Sequence, residues 1–196
     1  MTLFKTEDDN TPLSPDEQDD LIPNLATREE LNEWERTNIL IAYDWALDSR
    51  SLKRHDPLTE AYVRDLHQRM FDQSWKWAGK YRNSEKNIGA PPWQIRDGLG
   101  ALLGDAHFWI ERQTYTTDEI AIRFHHRLVL IHPFPNGNGR HARLMADILA
   151  KRQGEPVFTW GGTDIANAGD FRKRYIEALQ AADNGEIRLL LEFARS

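Results

Sequence analysis

The residues best suited to chemistry form one stretch from His132 to Arg143, with the sequence HPFPNGNGRHAR. Pro133 and Pro135 cannot continue a helix, because proline has no backbone N–H to donate. The glycines on either side of position 138 allow positive φ and can turn backbone N–H groups inward, just where the next helix begins. The N-terminus of a helix attracts anions through its dipole and its free N–H groups. The stretch therefore predicts an anion-binding site.

Two arginines follow this turn at positions 140 and 143, so they share one face of the predicted helix. Their guanidinium groups match phosphate oxygens, and together with the turn they predict a diphosphate ligand. His132 precedes the turn, where a neutral imidazole could accept a proton from a hydroxyl near neutral pH. Phe134 is expected to point into the core and fix the loop. The alternative is that His132 only ends a helix and that the glycines form an ordinary turn.

Helical patterns flank this stretch on both sides. Capping residues followed by apolar residues at helical spacing occur at Ser14, Thr27, Asp56 and Thr116. The patterns predict a short helix after residue 14 and longer ones over residues 28–48, 57–73, 94–112, 117–131, 139–152, 164–182 and 186–195. The one strand-like stretch, residues 79–89, is long enough for a hairpin flap but too short for a sheet. The predicted class is all-α, a compact helical bundle with a small β-hairpin flap.

The negative charge is concentrated at the N-terminus. The chain has 25 Lys and Arg against 31 Asp and Glu, a net charge of −6, and the first twenty residues carry seven acidic side chains against Lys5 alone. The rest of the chain is balanced, which argues against nucleic acid as a partner. We divide the chain into an acidic arm with a short helix, residues 1–26, and a helical domain, residues 27–196.

Composition excludes several classes of site. With no cysteine, the chain has no disulfides, zinc–thiolate sites or thiol nucleophiles. No stretch approaches the roughly 18 apolar residues that span a bilayer. The first residues also lack the basic and apolar regions of a signal peptide. We therefore expect a cytoplasmic globular protein that makes no membrane contact.

The stretch from His132 to Arg143 resembles the signature of the Fic/Doc family, H-P-F-x-[D/E]-G-N-G-R-x-x-R. Upstream, WAGKYR at residues 77–82 resembles the family's entry to its flap, and the chain is similar to the bacterial branch called mobile mystery protein B. The resemblance implies a Fic-like helical domain that transfers a nucleotidyl group, usually AMP from ATP, to a Ser, Thr or Tyr hydroxyl of a target protein. It also implies Mg²⁺ or Mn²⁺ as cofactor and a toxin–antitoxin setting with an antitoxin protein as partner.

The resemblance implies roles for single residues. His132 would be the general base. The phosphates would be bound by Gly137, Asn138, Gly139, Arg140 and Arg143, the last receiving the γ-phosphate. A target segment would be held on the flap by Lys80, Tyr81, Arg82, Asn87 and Ile88. The nucleotide base would contact Tyr175, Leu179 and Asp183. Core packing accounts equally well for the tyrosine and the leucine of that last set.

One position departs from the signature, because Asn136 stands where the family has an acid that ligates Mg²⁺. An amide oxygen can ligate the cation but adds no charge, so the metal would depend more on the substrate phosphates. This departure leaves open a weakly catalytic module that senses nucleotide and holds a partner, or a variant that removes AMP or transfers another phosphoryl group.

No stretch matches the family's inhibitory motif, which carries a glutamate that pairs with the second arginine of the signature. The helix after Thr27 offers three glutamates, at least one of which could face Arg143: Glu30, Glu33 and Glu35. A solvated acidic face is the alternative explanation for these residues.

Overall fold

The computed structural model of the chain describes residues 12–162 and 168–196. Over these residues the protein is helical, and its β-structure is limited to one antiparallel bridge between Leu21 and Trp75. A short 3₁₀ turn at Pro92–Gln94 precedes the fifth helix. The α-helices are α1 Pro15–Asp19, α2 Arg28–Leu47, α3 Ser49–Arg54, α4 Glu60–Phe71, α5 Ile95–Arg112, α6 Thr117–Ile131, α7 Asn138–Arg152, α8 Ala168–Asp183 and α9 Ile187–Arg195. The all-α class predicted from the sequence is confirmed.

Side-chain caps fix where three of the predicted helices begin. Ser14 and Thr27 each form a capping box with the glutamate three residues further on. Thr116 accepts a hydrogen bond from the backbone N–H of Glu119 at the start of α6. These polar groups satisfy N–H donors that have no partner inside the first helical turn. The predicted start of α8 at residue 164 lies outside the described residues.

The prediction that Asp56 caps a helix is wrong. α4 begins at Glu60, and its cap is Thr59, whose Oγ1 accepts from the Tyr62 N–H at 3.2 Å. Asp56 instead accepts the Leu58 N–H at 3.1 Å, which closes a turn before the helix. An aspartate followed by proline suits either geometry, and the nearer threonine takes the cap.

α6 and α7 make the most extensive contact between described helices, and the loop that joins them is largely buried. α2 packs on α4, α8 packs on α9, and both α5 and α9 pack on α6. The largest fully buried side chains include Phe71 of α4, Phe124 of α6 and Phe134 of the loop itself. The loop is thus part of the core. No helix within the described ranges is both long and apolar enough to cross a bilayer.

The predicted hairpin over residues 79–89 is absent, and this segment is an irregular loop. Its two ends do not pair with each other. The Arg82 N–H donates to the Pro133 carbonyl at 3.0 Å, and the Ala90 N–H donates to the Ile131 carbonyl at 3.3 Å. Both ends therefore bind the backbone around the end of α6, which replaces the ladder that a hairpin would form. We call residues 80–90 the crossing loop, because they cross over His132.

Candidate active site

The loop between α6 and α7 has a tightly specified backbone. α6 ends at His132, whose φ of 52° is left-handed and turns the chain out of the helix. α7 begins after Gly137, whose φ is 79°. A Cβ at this glycine would lie 2.4 Å from an atom of the Phe71 ring. Both the backbone and the space therefore require glycine at this position.

Asn138 and Phe134 hold the loop closed. The amide oxygen of Asn138 accepts the Phe134 N–H at 2.9 Å, and its amide nitrogen donates to the Phe134 carbonyl at 2.8 Å. Both residues are buried, and the Phe134 ring lies in the core. The Asn138 side chain is thus used inside the loop, so a phosphate contact from this residue would come from its backbone N–H.

His67 of α4 supports the loop, although the sequence reasoning gave it no role. Its ring stacks on Phe134 with centroids 3.7 Å apart. Its Nδ1 accepts the Gly79 N–H at 3.0 Å, so Nε2 carries the proton and donates to the Asn136 carbonyl at 3.0 Å. Burial holds the pKa of His67 well below its ordinary value, which keeps the ring neutral. A single histidine on an apolar helix face was the only signal in the sequence.

The imidazole of His132 is buried, with 5% of the residue exposed. Burial, followed by the positive charges of Arg82 and Lys86, lowers its pKa to about 4, although a hydrogen bond with the Val129 carbonyl acts in the opposite direction. The ring is therefore neutral at pH 7, which is the form that can accept a proton. Gly89 of the crossing loop lies directly against it, since a Cβ there would come within 2.5 Å of the His132 Cβ.

The N-terminus of α7 is open to a ligand. Over the described residues no side chain caps this helix. The His141 N–H donates to the Gly137 carbonyl at 2.9 Å, so the N–H groups of residues 138–140 precede the first intrahelical bond. Gly139 keeps this end uncrowded, because the nearest atom to a Cβ there would be the Tyr175 hydroxyl at 3.7 Å. These N–H groups and the helix dipole form one half of an anion cradle.

Arg143 forms the other half of the cradle. Its guanidinium lies 5.5 Å from the centre of the Tyr175 ring. Burial lowers the pKa of Arg143, with a smaller contribution in the same direction from Arg140. Within the described parts of the chain, no carboxylate bonds to this guanidinium. A partly buried cation that no described carboxylate binds directly is well placed to receive a phosphate oxygen.

Arg140 already holds a carboxylate. Its Nη1 donates to the Glu35 Oε2 at 2.6 Å, and its guanidinium packs over the Phe71 ring at 4.9 Å. Glu35 is 5% exposed, and its other oxygen accepts from the Trp75 Nε1 at 2.7 Å. The Arg140 side chain stays 34% exposed. Because a guanidinium has five N–H donors, others remain for a ligand on the open side.

The α2 glutamate that meets an arginine of this stretch is Glu35, and its partner is Arg140 rather than Arg143. Glu30 completes the capping box of α2, and Glu33 is exposed at the surface. Glu35 lies one helical turn after the buried Leu31, on the face of α2 that points into the bundle. That face meets the start of α7, which brings the carboxylate to the first of the two arginines.

Arg82 ties the crossing loop to the catalytic loop. It is 3% exposed, and its Nε donates to the His132 carbonyl at 2.6 Å. Its Nη1 donates to the Ser84 carbonyl at 2.8 Å, and its Nη2 donates to the Ala90 carbonyl. The prediction that this side chain contacts a target is wrong, because all of its donor groups point inward.

The other predicted flap residues divide into two groups. Lys80, Asn87 and Ile88 are exposed, and Ile88 leaves 49% of its surface in solvent. Tyr81 is half-buried, with its ring centre 5.7 Å from that of Phe134. The exposed three could contact a partner, whereas the tyrosine supports the loop.

The predicted base-pocket residues differ in their surroundings. The Tyr175 hydroxyl hydrogen-bonds the Nε2 of His125 at 3.0 Å, and its ring lies beside Arg143. Leu179 is partly buried against the core. Asp183 is bonded to the Nε2 of His126 at 2.7 Å, and its side chain is 45% exposed. Tyr175 is thus next to the cradle, while Asp183 is already engaged by α6.

The side chains do not form a metal site by themselves. The Asn136 Oδ1 accepts the N–H of Gly137, so this oxygen is used within the loop. In residues 12–162 and 168–196, no group of three His, Asp or Glu side chains is arranged to hold a metal ion. At position 136, a Mg²⁺ would meet an amide oxygen in place of the carboxylate that such a hard cation prefers.

Comparison with known proteins identifies the segment that contains this loop. Residues 57–150 match the Fic/DOC family. This segment is a Fic/DOC domain. It contains α4, α5, α6, all but the last two residues of α7, the crossing loop and the cradle, while Glu35 and Tyr175 lie outside it.

Individual relatives extend the likeness beyond the Fic/DOC domain. The chain is 28% identical over 145 residues to protein adenylyltransferase fic-1 of Caenorhabditis elegans, which covers 72% of this chain and 27% of that protein. It is 27% identical over 165 residues to protein adenylyltransferase Fic of Nematostella vectensis, covering 80% and 36%. The chain thus spans roughly a third or less of these relatives. The solved structure of Fic-1 residues 134–508 from Caenorhabditis elegans superposes with a TM-score of 0.62 at 26% identity, covering 91% of this chain and 51% of that one.

Proposed function

We propose that the chain is a protein adenylyltransferase that transfers AMP from ATP to a Ser, Thr or Tyr hydroxyl of a target protein. The observation that carries the proposal is a buried, neutral His132 followed on the same loop by an anion cradle. The names of the two relatives, both protein adenylyltransferases, support the same activity.

The proposed reaction uses one proton transfer and a fixed set of charges. His132 takes the proton of the target hydroxyl while the hydroxyl oxygen forms a bond to the α-phosphorus of ATP. The bond from that phosphorus to the bridging oxygen of the β-phosphate breaks, and pyrophosphate leaves with the electron pair. The N–H groups of residues 138–140 and Arg140 stabilise the α- and β-phosphates, and Arg143 receives the γ-phosphate.

We assign target binding to the exposed side of the crossing loop. Lys80, Asn87 and Ile88 lie on the loop whose Gly89 touches His132. A target segment extended along this loop would bring a side-chain hydroxyl to the imidazole. The backbone of the loop forms no ladder of its own, which leaves it available for strand-like pairing.

Magnesium remains part of the proposal through the nucleotide. Because Asn136 adds no charge, a divalent cation would be bound mainly by the phosphates of ATP. An antitoxin partner and a bacterial setting rest on the sequence resemblance alone, and a cytoplasmic location rests on composition alone.

Glu35 is proposed to restrain the site. Its carboxylate occupies one edge of Arg140, which is needed for phosphate binding. A negative charge at this point also opposes the approach of ATP, whose phosphates carry the same sign.

The proposal is tested by incubating the protein and a cell lysate with ATP labelled at the α- or the γ-phosphate. We expect label on protein only from the α-position. His132→Ala should bind ATP with nearly unchanged affinity and lose roughly 10²- to 10⁴-fold in transfer rate, the usual effect of losing a positioned base. Label from the γ-position alone would instead identify a kinase, and full activity of a folded His132→Ala variant would remove the catalytic role.

A second candidate is a nucleotide-sensing module that binds ATP and a partner protein without turnover. It is favoured by the Glu35–Arg140 ion pair and by the uncharged Asn136. Calorimetric ATP binding without any labelling, even with Mn²⁺, would select it. Asn136→Asp should then switch on transfer, because it supplies the missing metal-binding charge. Release of AMP from a pre-modified target would identify the reverse reaction.

A further inference from the structure

The short helix α1 contacts the crossing loop through one buried carboxylate, that of Glu17. Its Oε2 accepts the Ser14 N–H at 2.7 Å and also binds the Lys86 ammonium. Its Oε1 accepts the Ser84 hydroxyl at 2.8 Å. Glu17 is 8% exposed, so these donors take the place of water.

Lys86 is buried in the same contact, which is unusual for a lysine in a loop. Its side chain is only 2% exposed, and the ammonium also donates to the Pro12 carbonyl at 2.8 Å. A buried ammonium is costly unless a carboxylate and further acceptors compensate for lost hydration. The loop can therefore keep this shape only while the segment around Glu17 remains in place.

The N-terminal segment also binds the entry to the crossing loop. The Glu17 carbonyl accepts from the Trp77 Nε1 at 3.1 Å. The Lys76 N–H donates to the Asp20 carbonyl at 3.0 Å, directly beside the bridge between Leu21 and Trp75. The described part of the acidic arm is thus packed onto the site rather than extended into solvent.

The crossing loop consequently has anchors on both sides of its exposed tip. On the side of the catalytic loop, Arg82 binds the His132 carbonyl and Gly89 touches the His132 side chain. On the side of the arm, Glu17 binds Ser84 and Lys86. The exposed residues Asn87 and Ile88 follow Lys86 directly, so the second set of contacts controls where they point.

We propose that Glu17 is a positioning residue that holds the crossing loop in the shape needed to bind the target. This inference rests on the proposed function, because it assumes that the loop binds the target protein. Removal of the carboxylate should weaken target binding and leave ATP binding unchanged, since the cradle at residues 138–143 makes no contact with Glu17.

The shape of the loop can be measured without any activity. In Glu17→Gln, trypsin should cut after Lys86 roughly tenfold faster than in the wild type, as expected when a buried, charge-assisted contact is lost. Amide exchange over residues 83–88 should also accelerate.

Asp19→Asn is the matched control, because it removes one exposed negative charge from the same helix. Lys86→Gln should behave like Glu17→Gln under amide exchange, and Lys86→Arg should retain protection. Unchanged exchange and cleavage in Glu17→Gln would overturn the proposal.

The effect on the target is measured with α-labelled ATP and a dilution series of cell lysate. In Glu17→Gln the lysate concentration that gives half-maximal labelling should rise roughly tenfold, with an unchanged plateau and an unchanged ATP Kd. A loosened loop with an unchanged half-maximal concentration would overturn the positioning role. If the wild type labels no lysate protein, the transferase proposal fails, while exchange and cleavage still decide whether Glu17 holds the loop.

Discussion

The imidazole of His132 is a weak base that is in its reactive form at neutral pH. With a pKa of about 4, it carries no proton at neutral pH. Phosphoryl-type transfer needs little proton removal before the transition state, so a weak base in fixed position is sufficient. Burial thus makes His132 a weaker base and keeps its ring neutral at pH 7.

The pH dependence of transfer follows from this pKa. We expect the rate to be nearly constant from neutral pH down to about pH 5 and to fall as the pH approaches 4, where the ring becomes protonated. An unperturbed imidazole would lose activity around pH 6.5. Initial rates with α-labelled ATP between pH 4.5 and 8 check this, with folding confirmed by circular dichroism at each pH. A midpoint near 6.5 would contradict a buried His132.

The ion pair between Glu35 and Arg140 leads to a second prediction, which concerns the effect of the Glu35 charge on ATP binding. Glu35→Gln keeps an oxygen for the Trp75 N–H but removes the negative charge beside the cradle. We expect ATP to bind about three- to tenfold more tightly, because one repulsive charge near the phosphates is lost. Calorimetry measures the Kd, and Glu33→Gln, exposed on the same helix, is the control. Weaker binding in Glu35→Gln would show that the carboxylate orients the arginine instead of restraining it.

Among the elements, the loop between α6 and α7 is fixed from three directions. α4 contacts it through His67 and Phe71, the crossing loop contacts it through Arg82, and α7 closes it through Asn138. A site with such a rigid frame can hold phosphates without a rearrangement when ligand binds.

Gly137→Ala tests how tightly this frame is packed. The new Cβ would need a left-handed backbone and would meet the Phe71 ring at 2.4 Å. We expect a loss of about 2–4 kcal/mol in the free energy of unfolding. Gly154→Ala is the matched control, because Gly154 has a φ of 91° but no atom within 4 Å of the added Cβ, so only about 1 kcal/mol should be lost. Equal losses in denaturant titrations would show that contact with Phe71 is unimportant.

Helices were predictable from sequence, and contacts between distant segments were not. The bounds of α2 and α6 follow from local caps and apolar spacing, and those of α5, α7 and α9 follow from apolar spacing, all of which act within a few residues. The predicted hairpin does not form because the backbone partners of the crossing loop lie roughly 40 to 50 residues away, at the end of α6. The cradle was recognisable because its groups lie within one stretch. Glu17, Glu35 and His67 were missed or misassigned because each acts through a residue that is distant in sequence.

At the scale of the whole molecule, burial keeps four of the described histidines neutral at pH 7. Burial lowers the pKa of His132 to about 4 and of His141 to about 3, and it holds those of His67 and His125 well below the ordinary value. Each ring would take up a proton near pH 6.5 once unfolded. The contribution of these neutral rings to the free energy of unfolding is therefore fully present above pH 6.5. It is lost as the pH falls towards their native pKa values.

We accordingly expect acid to destabilise the fold over this range. Burial raises the pKa of Asp147 to about 6, so this carboxyl acts in the opposite direction, but it is one group against four. The free energy of unfolding at pH 5 should be lower than at pH 7 by at least about 3 kcal/mol. Guanidinium titrations at the two pH values measure it. Equal midpoints would mean that the histidines are accessible to protons in the native state.

Two buried ion pairs join the segment that matches the Fic/DOC family to helices that lie outside the match. Lys86 and Arg140 lie inside the Fic/DOC domain, but their carboxylate partners, Glu17 and Glu35, come from α1 and α2 before it. The segment that matches the family therefore holds two cations whose carboxylate partners lie outside it. A chimera that grafts residues 57–150 onto the N-terminal region of another Fic/DOC-containing protein would bring in both cations without these partners. Whether the host helices supply acids at matching positions would decide how stable the hybrid is, above all at Lys86, whose side chain is only 2% exposed.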